Sequence, residues 1–149
     1  MLTDADAIES QASVLYSPEQ VQAWAALAWL PGVLDRTLMD GVGWISGSDD
    51  AFALRYPQNR LALLYCRGRV ARQGHARALL DQIEQDARFE GITAIRTEAS
   101  KLSRPLLHRR GWRVVAPEMI KIVPIRTPIL ACFAFVPSSD SKQLIAWKA

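Results

Sequence analysis

Cysteine is scarce in this 149-residue chain: Cys66 and Cys132 are the only two, and both sit inside apolar runs. Thiols so few and so placed argue against a disulfide framework and for core packing in a reducing compartment. Long hydrophobic stretches are missing too. The longest apolar run, residues 129–136, falls far short of the roughly 20 residues that cross a bilayer. The N-terminus, Met1-Leu2-Thr3-Asp4-Ala5-Asp6, is acidic and has no basic segment leading into an apolar one, so no signal peptide is expected. A dense basic face is also lacking. The net charge of +3 is too mild for a nucleic-acid footprint but suits an anionic small molecule. No repeat or low-complexity segment interrupts the chain. What is present is an ordinary soluble balance, 50% hydrophobic and 22% charged, at a length that fits one domain with a real core. The expectation is a single cytoplasmic domain over residues 1–149, with 137–149 as a tail, no membrane association and no nucleic-acid partner.

Residues 61–91 organise the rest. An apolar run, Leu61-Ala62-Leu63-Leu64-Tyr65-Cys66, leads into a loop carrying Gly68, Gly74 and the arginines 67, 69 and 72, with Arg77 just beyond. A helical pattern follows through Arg88 and stops at Gly91. Apolar run, loop, helix is the order that aims backbone N–H groups and a helix dipole at an anion. Arginines add side-chain charge of the right sign. This stretch therefore reads as a binding element for a phosphate-bearing ligand.

The helix after the loop carries one apolar stripe, Ala76, Leu79, Leu80, Ile83 and Ala87, at the spacing of a buried face. Arg77 with Asp81, and Glu84 with Arg88, lie four apart and are expected to pair on the wet side. Upstream, Ser17-Pro18-Glu19-Gln20 has the form of a capping box with proline at the first helical position. Val21, Trp24, Ala25 and Ala28 then share a face, and Pro31-Gly32 ends that helix; Trp24 and Trp29 read as packing residues before ligand contacts. Residues 34–47 are ambiguous apart from a strand near Trp44-Ile45. Gly41-Val42-Gly43 lacks the third glycine and the helix that a dinucleotide loop requires, so it reads as a bend. Strands at 51–56 and 60–66, joined by Pro57-Gln58-Asn59, form an antiparallel hairpin. Further strands are expected at 92–99, 112–115, 119–123 and 129–136, with a short helix that Ser100-Lys101-Leu102-Ser103-Arg104-Pro105 opens and Gly111 closes, turning Leu106 and Leu107 inward. Prolines 117, 124, 128 and 137 argue for edges and turns in this region. The last strand is apolar enough to pair with a second copy, so monomer and homodimer both stay open.

Strand, glycine loop, leucine-rich helix, strand, short helix ending in Gly-aromatic, strand: this layout resembles the GNAT-type N-acetyltransferases. Their loop motif, Gln/Arg-x-x-Gly-x-Gly/Ala, corresponds to Ala71-Arg72-Gln73-Gly74-His75-Ala76, with Ala71 where Gln or Arg is usual. The segment Leu106-Leu107-His108-Arg109-Arg110-Gly111-Trp112 is similar to the family's Phe-Tyr-x-x-x-Gly-Phe helix end. Tyr16-Ser17-Pro18-Glu19-Gln20 resembles the N-terminal helix start of a bacterial subgroup. The usual first strand is shortened or missing. The resemblance implies an α+β fold: a central, mostly antiparallel twisted sheet with a splayed strand pair, flanked by helices.

It also implies acetyl-CoA as co-substrate and a primary amine on a small molecule or peptide as acceptor, attacked directly in a ternary complex. Arg72, Gln73, Gly74, His75, Ala76 and Arg77 would hold the pyrophosphate, and Leu64, Tyr65 and Cys66 would pair with the pantetheine amides. Ser100 and Ser103 would sit beside the cofactor. Many members carry an acidic tyrosine four residues before the helix-ending glycine; here Leu107 stands there and cannot donate a proton. Tyr65, His108 and water are the candidate acids, with His108 turned well away from Leu107 on a helix. Glu98, at the end of its strand, is the candidate base, directly or through water, with a structural ion pair to an arginine as its other reading. Cys66 reads as a packing residue and not a nucleophile, and no metal is expected. A relative that binds CoA without efficient turnover is the alternative, and an interaction domain using its arginines a more distant one.

Overall fold

The computed structural model describes residues 8–27, 35–122 and 125–135, with side chains over 8–26 and 35–115. A helical turn at 8–11 runs into a 3-10 turn at Ala12–Val14, followed by helices α1 (Pro18–Leu27) and α2 (Asp35–Asp40). Strands β1 (Val42–Ser46), β2 (Ala51–Arg55) and β3 (Leu61–Cys66) come next, then helix α3 (His75–Phe89). The chain continues through β4 (Ala94–Ala99), helix α4 (Arg104–Arg109), β5 (Arg113–Ile122) and β6 (Ile125–Phe135). No helix among these residues is long and apolar enough to cross a membrane.

Local chemistry accounts for the element ends. Ser17 N–H donates to Gln20 Oε1 at 3.0 Å while Gln20 N–H donates to Ser17 Oγ at 3.3 Å, the reciprocal pair that starts α1. Helices α3 and α4 both stop on a left-handed glycine. Past Gly91 (φ +75°) the Ile92 N–H reaches back to Ala87 O at 2.8 Å; past Gly111 (φ +83°) the Trp112 N–H reaches Leu107 O at 3.0 Å. Each closure returns an apolar residue to the core beside the helix it ends.

The strands form two three-stranded antiparallel sheets, ordered β1-β2-β3 and β4-β6-β5. They meet where β3 runs parallel to β4, through one bridge between Arg60 and Arg96 and an Arg96 N–H donated to Asn59 O at 2.9 Å. Thr97 Oγ1 adds a bond to Leu61 O at 2.8 Å. Beyond these contacts the two strands part, which gives the expected splayed pair. The main core lies under α3, where Leu79, Leu80, Ile83 and Ala87 pack with Leu61, Ile95, Leu107 and Trp112. A second cluster gathers the N-terminal elements through Ile8, Ala12, Tyr16, Val21 and Ala25.

Several expectations need correction. The ambiguous stretch at 34–47 holds the short helix α2 before β1. The two strands expected at 112–115 and 119–123 are one strand, β5, with Pro117 inside it. A proline is tolerated there because β5 is a sheet edge, with a register shift between Val114 and Ala116. Residues 130–133 of β6 are not an edge: β4 flanks them on one side and β5 on the other. Pro128 lies past the end of β4, where among the described residues only β5 pairs. Glu84 is not on the wet side but buried, accepting from Trp112 Nε1 at 3.0 Å and from Arg110 at 2.9 and 3.2 Å. Arg88 reaches it only at 3.9 Å, and Asp81 meets Arg110 at 2.6 Å instead of Arg77. Ala28, Trp29 and Pro31-Gly32 lie outside the described residues, as do the tail and prolines 124 and 137.

Candidate active site

The parting of β3 from β4 opens a cleft of about 660 Å³, within the range of small-molecule sites. One wall is β3 itself, from Leu61 to Cys66; the other is Thr97, Glu98, Ser100 and the start of α4. At one end lie Ala71, Arg72, Gly74, His75, Ala76 and Arg77, the loop and first turn of α3. Ile8, Gln11, Trp24 and Leu102 line it as well.

The loop end is shaped for an anion. Gly74 takes a left-handed conformation (φ +92°, ψ 0°) as the residue before α3, and no side chain caps the helix. The first main-chain bond of α3 runs from Ala78 N–H to Gly74 O at 2.9 Å. The N–H groups of the first turn are therefore left for a ligand. No atom lies within 4 Å of where a Cβ on Gly74 would point, so the approach is open. Arg72, also left-handed (φ +65°), is exposed beside it. His75 is held from behind, with Nδ1 2.9 Å from Ser46 Oγ. Arg67 and Arg69 are engaged elsewhere, pairing with Asp49 and Asp50 at 2.9 and 2.7 Å. Arg69 in turn holds the Asp50 carboxyl below its ordinary range.

Along the walls, Tyr65 is half-buried with its ring 5.8 Å from that of Phe52. Cys66 is also half-buried, and its Sγ lies 3.7 Å from both Arg67 O and Val70 O. Burial pushes the Cys66 thiol up, and the Asp50 charge adds to that. Ser100 and Ser103 bind each other: Ser103 Oγ accepts from Ser100 N–H at 3.0 Å, and Ser100 Oγ accepts from Ser103 N–H at 3.2 Å. Glu98 lines the cleft with its carboxylate gripped by Arg60 at 2.9 to 3.2 Å. Leu107 contributes buried hydrocarbon.

The cleft thus brings together Leu64, Tyr65, Cys66, Arg72, Gly74, His75, Ala76, Arg77, Glu98, Ser100 and Ser103. Two expected site residues stay out of it. Gln73 is exposed and turns its Nε2 to Arg69 O at 3.3 Å. His108 is exposed and absent from the lining. The structure also supplies residues that sequence reasoning missed: Ile8, Gln11 and Arg60. The first two precede any clear helical pattern, and Arg60 stands 38 positions from its partner, beyond the reach of any local signal.

A splayed pair of strands, an uncapped helix behind a left-handed glycine and a cleft joining them make up the site. Residues 42–122 match the acetyltransferase (GNAT) domain model. The chain belongs to the GNAT family. It is accordingly an enzyme of the N-acetyltransferase class. Among solved structures it is similar to a GCN5-related N-acetyltransferase from Rhodopseudomonas palustris, with TM-score 0.82 and 19% identity over 90% of this chain and 86% of that one. A second is an N-acetyltransferase from Thermoplasma acidophilum in complex with coenzyme A (TM-score 0.60, 12% identity, 90% and 89% covered). A third, aminoglycoside 6'-N-acetyltransferase complexed with coenzyme A, gives TM-score 0.60 at 8% identity with 93% and 92% covered. At these identities the likeness speaks for the GNAT fold. Comparison with curated proteins gives no match.

Proposed function

We propose that this GNAT enzyme moves the acetyl group of acetyl-CoA to a primary amine by direct attack in the cleft between β3 and β4. The observation that carries this reading is the uncapped N-terminus of α3 opening into that cleft, with Gly74 left-handed and unobstructed and Arg72 and Arg77 beside it. The first-turn N–H groups and these two arginines hold the pyrophosphate. The parted edge of β3 at Leu64, Tyr65 and Cys66 receives the pantetheine amides, and Ser100 and Ser103 border it on the far side.

The transfer balances without any group beyond amine and thioester. The amine nitrogen forms a bond to the acetyl carbon, the C–S bond breaks, the amine gives up one proton and the thiolate of CoA takes one. Holding both reactants in one cleft supplies much of the rate. Glu98 is the one carboxylate among the described residues lining the cleft, and it takes the amine's proton through water, with Arg60 fixing its position. Tyr65 or water returns a proton to the thiolate; Leu107 has none to give.

Calorimetric titration with acetyl-CoA, beside an Arg72→Ala, Gly74→Asp double variant, tests the cofactor site. Micromolar binding lost in the variant is the expected result. Absence of binding by the unaltered chain would overturn the reading.

A further inference from the structure

One part of the cleft lining has a chemistry of its own, apart from the phosphate loop. Ile8, Trp24, Tyr65 and Leu102 belong to or pack against one apolar cluster and also line the cavity. Trp24 is held edge-on by Tyr16, with ring centroids 5.5 Å apart. Tyr16 is held in turn, its hydroxyl accepting the Lys101 N–H at 2.7 Å. The wall is therefore rigid and aromatic. One polar group breaks it. Gln11 donates Nε2 to Cys66 O at 2.7 Å, a bond that fixes the plane of its amide. Its Oε1 meets no donor among the described residues, although Gln11 lines the cleft.

We propose that this apolar part of the lining is the acceptor subsite and that it selects a primary amine carried on an apolar, preferably aromatic, body. The inference rests on the acetyl-transfer reading above. Gln11 Oε1 receives an amine N–H, while Trp24, Ile8 and Leu102 pack the hydrocarbon. An amide oxygen suits this role because, carrying no net charge, it favours the ammonium, whose nitrogen has no lone pair for attack, far less than a carboxylate in the same place would. Nor is there provision for a second ammonium. Glu98, the single carboxylate among the described lining residues, is already matched by Arg60. Arg72, Arg77 and Arg109 give the rest of the cleft positive charge, which repels a polycation until phosphates neutralise it.

The test pairs two amines with two independent readouts. In steady state with saturating acetyl-CoA, phenethylamine is expected to exceed spermidine in kcat/KM by about tenfold or more. Gln11→Leu and Trp24→Leu should each lower kcat/KM for phenethylamine by about tenfold, with the calorimetric affinity for acetyl-CoA unchanged. Saturation-transfer NMR on the unaltered chain with coenzyme A present should show phenethylamine in contact and spermidine not, which keeps the test valid if a variant fails to fold. Spermidine acetylated as well as phenethylamine, or variants that leave phenethylamine turnover intact, would overturn the acceptor assignment while acetyl-CoA binding stands. Loss of acetyl-CoA binding in the unaltered chain, with NMR contact to phenethylamine retained, would instead overturn the transfer reading and leave only an apolar-amine pocket.

Discussion

Arg60 grips both carboxylate oxygens of Glu98, through Nε at 3.0 and 3.2 Å and Nη2 at 2.9 Å, at the point where β3 and β4 stop pairing. The pair therefore sits at the hinge of the cleft, where it serves as a strut between the two sheets and presents a carboxylate to the cleft. These two roles respond differently to substitution. Glu98→Gln keeps the size and some of the hydrogen bonding but removes the proton acceptor. It should lower kcat by about a hundredfold and leave the acetyl-CoA affinity unchanged. Arg60→Ala keeps the carboxylate and, because the pair is partly exposed, should cost about 1 kcal/mol of stability or less. A Glu98→Gln enzyme with full kcat but reduced urea resistance would make the pair a strut only.

Gly74 permits a second separation of effects. Its left-handed backbone disfavours any side chain, yet nothing occupies the space a Cβ would enter. Gly74→Ala should therefore cost about 1 kcal/mol through the backbone alone. Gly74→Asp carries the same backbone cost and adds a negative charge where the pyrophosphate is proposed to lie. Its acetyl-CoA affinity should fall about tenfold further than that of Gly74→Ala, measured by calorimetry on variants matched for folding by circular dichroism. Equal affinities would move the phosphates away from this turn.

The parts of the fold that were legible from sequence are those with local causes. The Ser17-to-Gln20 box, the glycine stops at 91 and 111, and the apolar stripe of α3 each depend on residues within a few positions of one another, so spacing alone reveals them. Long-range pairings leave no such trace. Glu84 sits four residues before Arg88 and looks like half of a surface pair; its burial is decided by Trp112 and Arg110, more than 25 positions away. Arg55 is likewise buried, its Nη2 meeting Asp86 at 3.0 Å and Glu90 at 2.7 Å beneath the ring of Trp44. The loop half of the cleft followed a motif and could be anticipated. The half built from Ile8, Gln11 and Trp24 is assembled by packing across the sheet splay, and no spacing encodes it.

Glu84 also carries a stability prediction. It joins the middle of α3 to the end of α4 and to the Trp112 indole, and the same contacts hold the Arg110 guanidinium above its ordinary pKa, chiefly through the Glu84 hydrogen bonds. Glu84→Ala leaves the indole N–H and a mostly buried guanidinium without their main acceptor, at a cost of about 3 kcal/mol. Glu84→Gln keeps one acceptor oxygen and should lose less. Urea denaturation of the two variants measures the difference. Matching losses would mean that side-chain volume, and not the network, is what α3 and α4 share.

Cys66 links the electrostatics of the cleft to a simple chemical readout. Burial, aided by the Asp50 charge, raises its thiol above the ordinary 9.0. The folded chain thus holds this proton more tightly than the unfolded chain does. That contribution to stability is complete below the unfolded value and is lost as pH climbs through the higher folded one. The thiolate, which is the reactive form, is correspondingly rare at neutral pH. Iodoacetamide should modify Cys66 more slowly than an unstructured peptide thiol, with the rate rising only toward alkaline pH. Because Cys66 lines the proposed pantetheine wall, acetyl-CoA should slow the modification further. Mass spectrometry of the Cys66 peptide, with and without acetyl-CoA across a pH series, measures both effects. Fast modification at neutral pH would return Cys66 to consideration as a nucleophile; modification unchanged by acetyl-CoA would place the pantetheine arm elsewhere.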